Sequence, residues 1–192
     1  TIFTANVGES YLWSNDETTP SITVDVALEY IVTVTDVNGC TATASSTLTV
    51  NPLPIVSIIG DNEICAGDNT IFTANGGVSY LWNIAETSAY ITVNVASEYI
   101  VTVTDVNGCT ATTSRTLTVN PLPNASITGD NEICAGENTI FTANGGATYL
   151  WNTTETSASI TVDAAVEYIV TVTDLNGCTA TASRTLTVTP LP

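Results

Sequence analysis

Short runs in which apolar and polar residues alternate strictly are the most regular feature of the sequence. Residues Glu98 to Thr104, EYIVTVT, put a tyrosine and two valines on one face and an isoleucine and two threonines on the other. An alternation with a period of two predicts a β-strand with one buried face. The turn residues Asp105 to Gly108 follow, and then Cys109. This run therefore predicts a strand, a tight hairpin turn and a cysteine at the start of the next strand.

The same pattern recurs with a period of 69 residues, which predicts tandem domains. The strand, turn and cysteine occupy Glu29–Cys40, Glu98–Cys109 and Glu167–Cys178. The predicted domains are an incomplete repeat at 1–54, which lacks the counterpart of Ile55–Asn69, and complete repeats at 55–123 and 124–192. We therefore expect the chain to begin inside a domain and to be a piece of a longer protein with further copies.

The remaining alternation predicts an all-β chain, with an antiparallel β-sandwich in each repeat. No stretch has a helical period, and turn residues separate the apolar runs. A tryptophan near the middle of such a repeat is typical of the centre of the core, and here these are Trp13, Trp82 and Trp151. In the second repeat the predicted strands are Ile55–Ile59, Thr70–Ala74, Ser79–Trp82, Tyr90–Asn94, Glu98–Thr104 and Cys109–Val119, and the turn-rich segment is Asp61–Asn69.

Proline-rich linkers separate the predicted domains. Residues Asn51–Pro54 and Asn120–Pro123 have the same sequence, Asn-Pro-Leu-Pro. Two prolines in four residues fix φ and remove hydrogen-bond donors, which predicts a short, semi-rigid spacer. The array is therefore expected to be a rod with limited bending.

The charge balance excludes several classes of partner. The chain has 19 acidic residues, two basic residues, no histidine and a formal net charge of -17. Such a surface repels phosphate backbones and anionic lipid headgroups, so we expect neither nucleic-acid partners nor membrane insertion of this segment. Without histidine or lysine, general base and Schiff-base chemistry have no obvious residue, and we expect no enzymatic activity.

The five cysteines also follow the repeat. One lies before the second strand of each complete repeat, and another follows the Asn-Gly turn, which predicts disulfides between Cys65 and Cys109 and between Cys134 and Cys178. Cys40 is left over, because its expected partner would lie before Thr1, with four residues between that cysteine and Thr1. Disulfide-dependent small domains indicate an oxidising compartment, and hence secretion. The alternative is that the cysteines are buried free thiols.

Several of these motifs together resemble a known class of repeat. A cysteine before the second strand, Tyr-Leu-Trp, a threonine-rich ITV strand, EYIVTVTD, NGC and a closing TLTV look like the PKD and immunoglobulin (Ig)-like tandem repeats of Bacteroidetes-type secreted surface proteins. The resemblance covers the whole chain and implies Ig-like sandwiches that act as stalks, adhesin segments or modules of secreted enzymes. The chain departs from the PKD pattern after Trp82, where no Gly-Asp-Gly turn follows.

The Ig topology creates a difficulty for the predicted disulfides. In a simple Ig-like sandwich, the turns that hold Cys65 and Cys109 lie at opposite poles. A bond between them requires the Cys65 segment to cross along an edge of the sandwich. If these cysteines are not bonded, the predicted topology is wrong at this place.

Acidic turns are the only candidates for a metal site. Asp36, Asp105 and Asp174 begin Asp-x-Asn-Gly turns that faintly resemble the start of a calcium loop, although the downstream bidentate glutamate is missing. Aspartate and asparagine also favour such turns through local hydrogen bonds. We expect no cofactor, with an interdomain calcium site at Asp61, Glu63 and the neighbouring turn as the alternative.

A periodic set of outward-facing aliphatic residues is a candidate surface for self-association. Two residues in each repeat are predicted to face outward on adjacent strands, and copies of the repeat would then form an apolar stripe along the rod. Scattered exposed aliphatic residues are normal, but a stripe that recurs in every domain suits lateral assembly. The six residues are Leu12, Ile31, Leu81, Ile100, Leu150 and Ile169.

These features predict a structural segment of an extracellular or cell-surface protein, which forms a rod, stalk or filament used in adhesion or fibre assembly. One alternative is a carbohydrate-binding accessory module of a secreted hydrolase, which requires exposed aromatic residues. Tyr90 is the one plausible example, and its counterparts are Ser21 and Ser159. Another alternative is a domain-exchanged polymer, in which the incomplete repeat accepts a strand from another chain.

Overall fold

A computed structural model describes residues Thr1–Pro192 and contains β-strands and no helix. The strands follow the sequence repeat. Residues 1–54 contain β1 (Ile2–Thr4), β2 (Ser10–Trp13), β3 (Ser21–Thr23), β4 (Glu29–Thr35) and β5 (Thr41–Thr47). The second repeat contains β6 (Ser57–Ile59), β7 (Glu63–Cys65), β8 (Thr70–Asn75), β9 (Ser79–Trp82), β10 (Tyr90–Val93), β11 (Ser97–Thr104) and β12 (Thr110–Asn120). The third contains β13 (Ser126–Thr128), β14 (Glu132–Cys134), β15 (Thr139–Asn144), β16 (Thr148–Trp151), β17 (Ser159–Val162), β18 (Glu167–Thr173), β19 (Thr179–Thr185) and β20 (Thr187–Thr189).

Two sheets form the second repeat, and together they make an Ig-like sandwich. One sheet has the order β10-β8-β6 and the other has the order β7-β12-β11-β9. The strands pair antiparallel except for β7, which runs parallel to β12 with Cys65 opposite Asn120. The predicted all-β, Ig-like fold class is confirmed. The segment Asp61–Asn69, predicted only as turns, contains the short strand β7.

The chain changes sheet between β6 and β7 at Gly60. This glycine has φ of 135°, a backbone conformation that side chains rarely adopt. A Cβ atom at this position would press against the carbonyl of Ile71 on β8. The glycine therefore lets the chain leave the first sheet close to β8 and continue as β7 on the edge of the second sheet.

The third repeat has equivalent pairings. The sheets are β13-β15-β17 and β16-β18-β19, and β14 pairs in parallel with β20. In residues 1–54, β1 pairs with β3, and β2, β4 and β5 form an antiparallel sheet. The same sequence pattern thus gives the same strand pairing wherever both partners are present.

Each repeat builds its own hydrophobic core around its tryptophan. In the second repeat Trp82 is 1% exposed, and its indole Nε1–H donates a hydrogen bond of 3.0 Å to the Ser88 carbonyl. Phe72 packs edge-on against Tyr99, with ring centroids 5.6 Å apart. The tryptophans of the other repeats are equally buried, which confirms their predicted place. Burial of such large apolar side chains is the main stabilising term for domains of this size.

Two compact units make up the chain. The first contains Thr1–Pro54 together with the turn Asp105–Cys109. The second contains Ile55–Thr104 and Thr110–Pro192, and so holds most of both complete repeats. The domain boundaries at residues 54 and 123 remain predictions from the sequence.

Candidate interdomain joint

A disulfide connects the two complete repeats. Cys65 at the end of β7 is bonded to Cys178, which follows the Asn-Gly turn of the third repeat, and their Cα atoms are 5.5 Å apart. Cys40, Cys109 and Cys134 are free. The predicted bonds between Cys65 and Cys109 and between Cys134 and Cys178 are therefore wrong.

The strand pairing explains why the bond cannot form within a repeat. Cys65 lies opposite Asn120, at the last residue of β12, whereas Cys109 immediately precedes the first residue of that strand. β12 has 11 residues, and at about 3.3 Å per residue the two cysteines lie roughly 35 Å apart along it. A disulfide requires Cα atoms within about 7 Å. The turns that hold Cys65 and Cys109 thus lie at opposite poles, and the predicted topology is wrong where it brought them together. The observed bond joins poles of successive repeats.

The end of β7 is fixed to the residue that begins the linker. The Ala66 amide donates a hydrogen bond of 2.8 Å to the Asn120 carbonyl. The Asn120 side-chain amide donates in turn to Glu63 Oε1, at 2.8 Å. Pro121, Leu122 and Pro123 follow directly. Because these contacts hold Cys65 beside the linker, the disulfide spans the linker and restrains it from the side.

The turn that carries Cys178 is held by one carboxylate. Asp174 Oδ1 accepts hydrogen bonds from the backbone amides of Asn176 and Cys178, both at 2.9 Å. The Asp174 amide donates to the Cys178 carbonyl at 2.9 Å, which closes the turn. Gly177 adopts φ of 82°, a value that glycine tolerates without strain. The turn thus presents a buried cysteine in a fixed orientation.

The same turn occurs in all three repeats. Asp36 Oδ1 accepts from the amides of Asn38 and Cys40 at 2.8 Å, and Asp105 makes the equivalent bonds. The hydrogen bond from the Cys40 amide lowers the pKa of Asp36 below its usual 3.8, partial desolvation opposes that shift, and bonds from Asn38 add to the lowering. These carboxylates therefore serve the turn geometry, as local Asx hydrogen bonds commonly do.

The acidic residues are not gathered into a metal-binding cluster. No group of three or more histidine, cysteine, aspartate or glutamate side chains is placed to hold a metal ion. Glu63, one residue of the alternative calcium site, accepts the hydrogen bond from Asn120. The calcium alternative thus draws no support from the arrangement of the carboxylates.

The six aliphatic residues proposed for self-association are all exposed, with exposed fractions between 37% and 54%. In the second repeat Leu81 lies opposite Thr102, and Ile100 lies opposite Ser114. Leu81 and Ile100 are therefore diagonal neighbours on the outer face of one sheet, where threonines and serines surround them. Their outward orientation is confirmed, and their use in assembly remains a prediction.

Two arginines have a structural role that the sequence analysis missed. Arg115 on β12 donates hydrogen bonds to the carbonyls of Ile58 and Gly60, at 3.3 and 2.5 Å, and its guanidinium lies 5.7 Å from the centre of the Phe72 ring. Arg184 makes the equivalent contacts in the third repeat. The only signal in the sequence was that the two basic residues of the chain occupy equivalent positions.

The aromatic residue required by the carbohydrate-binding alternative is present but isolated. Tyr90 is 61% exposed and is the only aromatic side chain among the large exposed apolar residues. Its counterparts in the other repeats, Ser21 and Ser159, offer no stacking surface. The structure also offers no helix with the length and hydropathy that crossing a bilayer requires.

Comparisons with known proteins give only distant structural likenesses. No family model and no curated protein matches the sequence. A solved chain from a 1.5-MDa bacterial ice-binding adhesin is 21% identical, with 97% of this chain and 88% of that chain covered and a TM-score of 0.42. The three N-terminal domains of the outer capsid protein Hoc of bacteriophage RB49 are 12% identical, with coverages of 94% and 88% and a TM-score of 0.46. The insect immune protein hemolin is 13% identical, with coverages of 84% and 56% and a TM-score of 0.39. The fold assignment therefore rests on the strand pairing described above.

Proposed function

We propose that this chain is a structural, non-enzymatic segment of an extracellular or cell-surface protein, in which tandem Ig-like domains form a rod, stalk or filament used in adhesion or fibre assembly. The observation that carries this proposal is the disulfide between Cys65 and Cys178, because it joins successive domains across their linker. A bond of this kind does little for the core of either domain. It fixes one domain to the next.

Such a joint suits a protein under tension. Force applied to the two ends of the chain passes from Cys65 to Cys178 through the disulfide and bypasses the backbone between them. The residues between these two cysteines, which are 113 positions apart in the sequence, then carry none of the applied force. Both complete repeats would keep most of their folded structure while the chain is pulled.

The same bond supports an extracellular or cell-surface location. Disulfides persist in oxidising environments and are rare where glutathione and thioredoxin keep thiols reduced. The strong negative charge of the chain also keeps a threonine-rich β-array soluble at high local concentration. We therefore place the segment outside the cell or on its surface.

Pulling single molecules tests the proposal. The oxidised chain, held at its two termini, should reach a contour length about 400 Å shorter than the Cys65→Ser/Cys178→Ser variant, since an extended chain spans about 3.5 Å per residue. A reducing agent should add the same length to the native chain and none to the variant. Equal contour lengths for oxidised chain and variant would show that the joint carries no force.

A further inference from the structure

We propose that every joint between successive repeats is closed by the bond seen at Cys65 and Cys178, and that Cys109 and Cys134 are the unpaired halves of the two adjoining joints. The partner of each is a neighbouring copy of the same repeat. Cys109 forms its bond with the counterpart of Cys65 in the repeat before it. Cys134 forms its bond with the counterpart of Cys178 in the repeat after it, which follows the Asn-Gly turn of that repeat.

The spacing in the chain supports this pattern. Cys65 and Cys178 are 113 residues apart, which is one 69-residue period more than the distance from Cys65 to Cys109. The bond therefore shifts the pairing by one whole repeat. If every copy pairs in this way, the partners of Cys109 and Cys134 lie in neighbouring repeats and not in their own.

The segment that holds Cys134 has the same backbone arrangement as the segment around the disulfide-bonded Cys65. Cys134 lies opposite Thr189, just before Pro190, as Cys65 lies opposite Asn120 just before its own linker. The Ala135 amide donates to the Thr189 carbonyl at 2.9 Å, and the Glu137 amide donates to the Cys134 carbonyl at 3.0 Å. The bonded copy around Cys65 has the same two hydrogen bonds. The exposed Cys134 is thus positioned without its partner.

Cys109 is positioned in the same way from the other side. Asp105 holds its turn with amide hydrogen bonds of 2.8 and 2.9 Å, as Asp174 does for the bonded Cys178. The Cys109 sulfur lies 4.0 Å from the carbonyl of Asn51, and its turn belongs to the same compact unit as Thr1–Pro54. Asn51 is the counterpart of Asn120, the residue that pairs with Cys65. Cys109 therefore lies beside the place where a counterpart of Cys65 would be held.

Closing each joint is an oxidation with a defined balance. Two thiols form one sulfur–sulfur bond and lose two protons and two electrons. A small-molecule disulfide, such as glutathione disulfide, accepts them and is reduced to two thiols through a mixed-disulfide intermediate. The exposed Cys134 and the half-buried Cys109 are accessible to such an oxidant.

A short extension of the chain tests the pairing directly. A copy of Ile55–Asn69 joined in front of Thr1 places one new cysteine five residues before Thr1, in register with the repeat. Within its own repeat this cysteine would pair with Cys40, whereas the proposed pattern pairs it with Cys109. After oxidation with glutathione disulfide, non-reducing digestion and mass spectrometry should yield at least tenfold more of the peptide linked to Cys109 than of the peptide linked to Cys40.

Two outcomes overturn the proposal: a bond from the new cysteine to Cys40, or a new cysteine that stays free in a folded chain. The matched control carries serine in place of the new cysteine, and it should leave Cys40, Cys109 and Cys134 all reactive with a thiol reagent. Circular dichroism of this control shows whether the added segment permits folding.

A second arm keeps the test decisive if the first extension does not fold. A copy of residues 55–123 joined after Pro192 should bond its copy of Cys109 to Cys134, and Cys134→Ser should leave that cysteine free. A bond inside the added copy would refute the pattern. Peptide mapping tests the cysteine pairing, and the single-molecule pulling experiment tests the proposed stalk function. Either proposal can therefore fail while the other holds.

Discussion

At the scale of single residues, the chain uses its two arginines as internal clamps. Arg115 reaches from β12 to the carbonyls at the end of β6, in the other sheet of the sandwich. Its Nε is buried without a hydrogen-bond partner, a cost that the ring of Phe72 and the two carbonyl contacts offset. Composition suggested only a shortage of positive charge. The contacts of Arg115 depend on which backbone carbonyls the fold places beside its guanidinium, and the sequence alone does not show which carbonyls these are.

Replacing the clamp should weaken the second repeat. Arg115→Ser removes two hydrogen bonds from a charged donor and a cation–π contact, so we expect the free energy of unfolding to fall by about 1–3 kcal/mol. Chemical denaturation of the full chain measures the change. Thr116→Ser, on the same strand and exposed, is the matched control and should be nearly neutral. If both variants were equally stable, the clamp would contribute nothing.

At the scale of strands, the alternating pattern predicted most of the fold. Ser79–Trp82 was predicted with the observed bounds, and Glu98–Thr104 differs from the observed β11 by one residue. The strand β7 was missed, because three residues among turn formers carry too little periodicity to be recognised. Its parallel pairing with β12 depends on where the chain changes sheet, and that is set by the backbone at Gly60.

The change of sheet at Gly60 can be tested with a matched pair of glycines. Gly60→Ala should destabilise the second repeat by roughly 1–3 kcal/mol, because its Cβ would collide with the Ile71 carbonyl in a strained conformation. Gly108→Ala shares a positive φ but has no atom within 4 Å of the added Cβ. Thermal unfolding should therefore show a larger loss for Gly60→Ala, and an equal loss would contradict the role assigned to this contact.

At the scale of the whole molecule, near-identical repeats made the disulfide partner ambiguous. Cys65 and Cys134 each have three equivalent candidate partners at intervals of 69 residues, and the sequence does not say which one is near. These candidates are Cys40, Cys109 and Cys178. The expected poles of an Ig-like sandwich already argued against a bond within one repeat. The parallel pairing of β7 with β12 resolves the ambiguity, because it fixes Cys65 at the linker end of its domain.

Lateral assembly also belongs to this scale. If the exposed aliphatic residues form a contact between arrays, the double variant Leu81→Thr/Leu150→Thr should associate at least tenfold more weakly in sedimentation experiments. The reason is that two leucine side chains per chain are no longer buried in the contact. Ile71→Thr/Ile140→Thr is the control, since these residues are similarly exposed on the other sheet. Unchanged association of the leucine variant would exclude this surface.

The covalent joint between successive domains is the central claim, and a disulfide map of the unmodified chain tests it most directly. The chain is produced in an oxidising compartment, its free thiols are blocked, and it is digested without reduction before mass spectrometry. We predict one linked peptide pair, joining Cys65 to Cys178, with Cys40, Cys109 and Cys134 recovered as blocked thiols. A peptide pair joining Cys65 to Cys109 would contradict the account, because each domain would then be closed on itself.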